Sequence, residues 1–168
     1  MFWLEGGGND SADATKVKTY DLGSPFDITS LTLVHTLDLT GTALNNASGN
    51  QASVDMNFND TGSAFYILID DAADRSRSAI YQFSLEKNYD MSTASLVGSS
   101  AISFNGNSGD PRGFEFGDGG MKLYVTNIQA GAGVDQTRVY QLECRYGIVA
   151  CVSDASATVV SQVELANQ

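Results

Sequence analysis

Pro25-Phe26-Asp27-Ile28-Thr29, followed by Leu31-Thr32-Leu33-Val34, returns 63 positions later as Asn88-Tyr89-Asp90-Met91-Ser92 followed by Ala94-Ser95-Leu96-Val97. The run just before it, Tyr20-Asp21-Leu22, returns at the same spacing as Phe83-Ser84-Leu85. Further along, Met56-Asn57-Phe58-Asn59-Asp60-Thr61-Gly62 with Phe65-Tyr66-Ile67 matches Phe114-Glu115-Phe116-Gly117-Asp118-Gly119-Gly120 with Leu123-Tyr124-Val125 at a constant offset of 58. Self-similarity at a period near 60 points to stacked units, each burying its apolar faces against its neighbours.

The units are β-rich. Apolar residues alternate with polar ones, β-branched and aromatic residues are enriched, and Gly, Asn and Asp clusters separate the runs, with no competing helix before residue 144. One unit reads as four strands, Leu31 to Leu39, Ser53 to Asn59, Ala64 to Ile69 and Ala79 to Leu85. Asp60-Thr61-Gly62 and Asp118-Gly119-Gly120 supply tight hairpin turns, Asp by capping and Gly by taking positive φ. The last strand recurs three times, as Val17 to Leu22, Ile80 to Leu85 and Val139 to Cys144, which places Cys144 on Leu22 and Leu85. The 63-residue offset sets Phe2-Trp3-Leu4 on Phe65-Tyr66-Ile67, so Trp3, Tyr66 and Tyr124 are expected to form one aromatic column between units.

Four antiparallel strands per repeat, in consecutive repeats, are the pattern of β-propeller blades. Phe114, Phe116, Asp118, Gly120, the run Lys122 to Asn127, the strand Val139 to Leu142 and the linker Tyr89 to Ala94 together resemble the YVTN-type β-propeller repeats of bacterial and phage proteins, often secreted. The resemblance covers about residues 1 to 144, with Ser63-Ala64-Phe65-Tyr66-Ile67 the looser copy. It implies an all-β chain whose residues 1–151 form a partial propeller, a half blade at about 1–22 and blades at about 31–85 and 94–144. It implies an extracellular or cell-surface location and carries no catalytic residue over. Two and a half blades do not close a ring of about four to eight, so the missing blades are expected from a longer chain or from a partner. Beyond them, residues 152–168 read as a helix or linker. Ser153-Asp154 is an N-cap candidate, and Val159, Val160, Val163 and Ala166 fall at helical spacing.

Composition narrows the partners. With 20 acidic and 9 basic residues the formal charge is −11, which repels phosphate backbones and anionic membrane surfaces. Nucleic acid is not expected as a partner, and neither is membrane insertion, since no apolar window is long enough to span. The first residues lack the basic and apolar regions of a secretion signal. Cys144 and Cys151 have no further Cys or ligating His beside them to complete a metal site, and spacing leaves open whether they are bonded to each other.

Candidate sites are few. The long loops, Glu5 to Lys16, Thr40 to Gln51, Asp70 to Ser78, Phe104 to Asp110 and Asn127 to Thr137, all emerge on one face of the strand assignment. Loops on a rigid scaffold are where binding usually resides. Asp70, Asp71 and Asp74 on that face, with Asp10, Asp13, Asp110 and Asp135, offer oxygen ligands for calcium, but no segment has the regular calcium-loop spacing, so a solvated acidic face is the preferred reading. No other cofactor is indicated. Asp27 and Asp90 are spaced to cap the turns after them. His35, the sole histidine, is expected to pack in the core or line a central channel, and a lone His builds neither a catalytic triad nor a metal centre.

The expected function is therefore a non-enzymatic binding or display module, with the long-loop face as the interaction surface for a protein or polysaccharide. One rival is a propeller enzyme (hydrolase, lyase or quinone-dependent dehydrogenase) whose catalytic residues lie in blades not present in this sequence, since fold does not fix chemistry. The other is a purely structural repeat.

Overall fold

Five apolar residues in succession, Phe65-Tyr66-Ile67-Leu68-Ile69, cannot be covered from one side of a sheet, because successive side chains on a strand point to opposite faces. In the computed structural model all eight residues of their strand, Ala64–Asp71, are buried. The structure describes residues 1–5, 16–39, 51–71, 78–100, 102, 110–128, 135–149 and 158–165.

These residues form three antiparallel sheets. The first contains β1 (Phe2–Glu5), β2 (Lys16–Leu22) and β3 (Leu31–Asp38), in that order. The second contains β4 (Gln51–Phe58), β5 (Ala64–Asp71), β6 (Ala79–Leu85) and β7 (Ala94–Ser99). The third contains β8 (Asp110–Gly117), β9 (Lys122–Ile128), β10 (Asp135–Gln141) and β11 (Thr158–Leu165). The second sheet lies between the other two. On the side of the first, Phe65, Ile67, Ile69, Phe83 and Met91 pack with Val17, Phe2 and Leu4. On the other, Tyr66, Leu68 and Ile80 pack with Phe114, Leu123 and Val125. β5 thus serves two cores, which accounts for its unbroken apolar run.

The linkers explain why the repeat was visible in sequence. Phe26, Tyr89 and Tyr146 all take positive φ, at 64°, 61° and 59°. After the first two comes a 3-10 turn, capped by Asp27 or Asp90 accepting from the backbone N–H of Thr29 or Ser92. Short helical turns of this kind are the only helices among the described residues.

Several expectations are corrected. The four-strand grouping is displaced by one: Leu31 to Leu39 does not open the unit of Ser53 to Leu85, because β3 pairs with β2 and β7 closes the second sheet. The segment after residue 152 is not a helix where it is described. Thr158–Leu165 is strand β11, paired along β10 from Asp135↔Leu165 to Gln141↔Thr158. Thr158-Val159-Val160 and Val163 are β-branched, which disfavours helix and suits a sheet. Residues 152–157 and 166–168 lie outside the described residues.

Cys144 does not hold the place of Leu85. The Leu142 N–H donates to the Met121 carbonyl as that of Leu85 donates to Ser63, so Leu142 is the equivalent residue and Cys144 falls in the following turn. The aromatic column also fails. β1 sits one residue out of the expected register, pairing Phe2 with Thr19 where β5 pairs Tyr66 with Gln82, so Phe2 is the counterpart of Tyr66. Trp3 consequently turns to the opposite face. His35 is half-buried on β3, at the end of the first sheet's strand order remote from β1.

Candidate functional site

Antiparallel order sends the chain out of one end of the sheets at every odd-to-even connection. The segments 6–15, 40–50, 72–77, 103–109 and 129–134 leave and re-enter at that end, and they lie outside the described residues. The opposite end carries the short turns at residues 59–63 and 118–121 and the linkers at 23–30 and 86–93.

At the loop end the described rim is acidic and its groups are engaged. Asp70 is buried, accepts from the Ser78 hydroxyl at 3.2 Å, and faces Arg112 of the third sheet at 3.8 Å. Arg112 also binds Asp110 at 3.0 Å. Asp71 is fully buried, and its N–H donates to the same Ser78 hydroxyl at 2.9 Å. Of the expected calcium ligands, Asp70 and Asp71 are neighbours on β5, and Asp74 lies outside the described residues. Among the described residues no three His, Cys, Asp or Glu side chains come together as a metal-binding group.

The turn end holds the second and third sheets together. The Tyr66 hydroxyl donates to the Tyr146 carbonyl at 2.8 Å, and burial pushes the Tyr66 phenol pKa well above its ordinary value. Arg145 pairs with Asp60 across the same junction at 2.6 Å and donates to the Gly119 carbonyl. Nearer the sheet centre, Asn57 donates to Glu115 at 2.8 Å and Asp55 accepts from the Phe114 N–H at 2.8 Å. Cys144, in the adjoining turn, is disulfide-bonded; Cys151, the only other cysteine, lies outside the described residues.

The outer face of the first sheet is built differently. Trp3 is 55% exposed, Ile28 68% and Phe26 96%. Met1, Trp3, Tyr20 and Ile28, with the Lys18–Glu5 ion pair at 2.9 Å, line a depression of about 480 Å³. Phe26 and Ile28 stand where the second sheet has Tyr89 and buried Met91, and the third has Tyr146 and buried Ile148. The sequence marks these residues as members of the repeat.

No protein-family profile, curated protein or solved structure matches this chain.

Proposed function

We propose that the chain is part of a β-propeller acting as a non-enzymatic binding or display module, with the long-loop end as its interaction surface for a protein or polysaccharide. One observation carries the reading. The strand ends that flank five connections of differing length and composition lie at one end of the three stacked sheets, while the turns at the other end are short, repeated in sequence and tied into the packing. A scaffold fixed at one end and variable at the other suits recognition. Sequential sheets packed face to face, with like linkers leading into β3 and β7 as the closing strands of the first two, support the propeller assignment. A secreted or cell-surface setting is supported by the disulfide at Cys144, since such bonds persist in oxidising compartments.

The test is capture on arrays of polysaccharides and extracellular proteins, using the full chain and variants with residues 40–50 or 103–109 replaced by Gly-Ser segments of equal length. The proposal expects a ligand whose retention falls when a loop is replaced, with the unfolding midpoint unchanged. Retention unaffected by every loop replacement would leave the structural-repeat reading standing, and turnover of a captured ligand would favour the enzyme.

A further inference from the structure

The three linkers make the same backbone turn and hold it by two different means. In each, a positive-φ aromatic residue, Phe26, Tyr89 or Tyr146, is followed by an N–H that donates three residues back. Asp27 donates to the Ser24 carbonyl, Asp90 to Lys87 and Gly147 to Cys144. A bulky residue keeps such a backbone only where its surroundings over-determine it. In the first two linkers those surroundings are the linker's own side chains. The Asp27 and Asp90 carboxylates accept from the backbone N–H of Thr29 and Ser92. The hydroxyls of Ser30 and Thr93 then close the loop, accepting from the N–H of Ser24 or Lys87 and donating to the carbonyl of Asp27 or Asp90.

The third linker has neither kind of tie. Counted from the shared turn, Gly147 stands where Asp27 and Asp90 stand, and Ala150 where Ser30 and Thr93 stand, so the sequence supplies no carboxylate and no hydroxyl there. Cys144 stands where Ser24 and Lys87 stand, and it is disulfide-bonded. Its partner within the chain is Cys151, the only other cysteine, which directly follows Ala150. The covalent bond therefore spans the same interval as the hydroxyl bridge of the other linkers. Much of the contact between the second and third sheets depends on the segment it encloses. Arg145 reaches Asp60 and the Gly119 carbonyl, the Tyr146 carbonyl accepts from the Tyr66 hydroxyl, Ile148 is buried in the shared core, and Val149 lies against Gly98.

We infer that the Cys144–Cys151 disulfide is a redox latch: oxidised, it holds the third linker against the second sheet, and reduced, it releases that linker while the two hydrogen-bonded linkers stay shut. Opening takes two electrons from an external dithiol. One thiolate of the dithiol attacks a sulfur of the bond, forming a mixed disulfide, and the cysteine that leaves takes up a proton. The second thiolate of the dithiol then displaces the other cysteine, which is protonated in turn. The chain gains two thiols and the dithiol becomes a disulfide. Release uncovers Ile148 and withdraws the Tyr146 carbonyl from Tyr66, so the junction between second and third sheets, unlike that between first and second, becomes conditional on redox state. This goes beyond the binding reading and does not depend on it.

The test is amide hydrogen exchange on the full chain before and after treatment with dithiothreitol, with alkylation counting the free thiols in each state. Reduction should speed exchange over residues 143–149 about tenfold or more, as loss of a short cross-link does, and leave 23–30 and 86–93 within about twofold. A double variant, Gly147→Asp with Ala150→Thr, supplies the absent carboxylate and hydroxyl, and Gly147 does not take positive φ, so Asp suits its backbone. It should exchange slowly over 143–149 in both redox states. Unchanged exchange there on reduction of the parent chain overturns the inference. So does an equal rise at all three linkers, which would make the bond a staple of the whole fold, or free thiols in chain purified without reductant. A double variant that folds and still opens on reduction overturns it as well. The readout uses no ligand and no loop-end residue, so its failure and that of the binding proposal are separable.

Discussion

β5 and β1 are copies of one strand in two settings. β5 has a sheet on either face and a strand along each edge, and none of its eight residues is exposed. Among the described residues β1 has a sheet on one face and a strand on one edge, and its Trp3, which occupies the place of fully buried Ile67, is 55% exposed. The sequences are comparably apolar. What differs is the surroundings, so burial in a stacked repeat is a property of position in the stack more than of the strand itself.

The sharpest way to break this comparison is to truncate the two equivalent residues. Ile67→Ala removes a fully buried side chain packed between the first and second sheets and is expected to cost about 2–5 kcal/mol in urea unfolding. Trp3→Ala, despite removing more atoms, should stay within about 0.5 kcal/mol, as exposed substitutions do. Equal losses would mean that the outer face of the first sheet is covered in solution.

A somewhat smaller effect tests the turn end. A Cβ on Gly62 would stand 2.3 Å from the Tyr89 ring at a backbone φ of 71°, so Gly62→Ala demands both strain and displacement and should cost about 1–3 kcal/mol. Phe26→Ala, at the position equivalent to Tyr89, has no such neighbour and should shift the thermal midpoint hardly at all. A large loss at Phe26 would show that something in solution already lies over it.

The junction between second and third sheets gives the next test. Tyr66→Phe removes the bond to the Tyr146 carbonyl and should cost about 0.5–1.5 kcal/mol. The phenol pKa in the folded chain is raised from 10.0, chiefly by burial and further by Tyr146. The folded state therefore holds this proton more tightly than the unfolded state. Its contribution is complete below about pH 10 and is lost as pH rises toward the raised value. Urea midpoints of the parent chain should fall on going above about pH 10, and part of that fall should be absent in Tyr66→Phe.

The strands and turns are legible in the sequence because they depend on neighbours along the chain. Asp-x-Gly turns, the aromatic-Asp linker and alternating apolar runs each carry their own local cause. What is decided at longer range is not legible there. The segment 152–168 reads as a helix or linker because Val159, Val160 and Val163 fit a helical spacing as well as a β-branched strand, and the edge of β10 that pairs with β11 lies elsewhere in the sequence. The grouping into sheets was displaced because β3 can be assigned to either neighbour until pairing is known. The one-residue register difference of β1 moved Trp3 to the other face, a consequence of strand periodicity that similarity of letters cannot detect. The tie of Asp70 to Ser78 and Arg112 was hidden for the same reason: Arg112 lies far along the chain and in another sheet.

The linker caps should show the least difference between the two settings, and for that reason they test the claim from the other side. Asp27 belongs to the uncovered first sheet and Asp90 to the covered second, yet each carboxylate accepts from a backbone N–H two residues on, at 2.9 and 3.1 Å, and from the hydroxyl of the same residue at 2.6 Å in both. The side-chain bonds to Thr29 and Ser92 are the leading cause that holds both carboxyls below their ordinary pKa of 3.8, with Lys87 adding to the effect at Asp90. A depressed folded pKa means that whatever stability the caps give is present above about pH 4 and is lost only as pH falls through the folded values. Carbon-detected NMR titration should find both carboxyls ionised below pH 3.8, Asp90 no less so than Asp27, and replacement by Asn should remove the titration without disturbing Trp3 or Tyr66. If Asp27 alone titrated at the ordinary value, the capped turn would depend on the neighbouring sheet, and the division between local geometry and stacked burial drawn from β1 and β5 would fail.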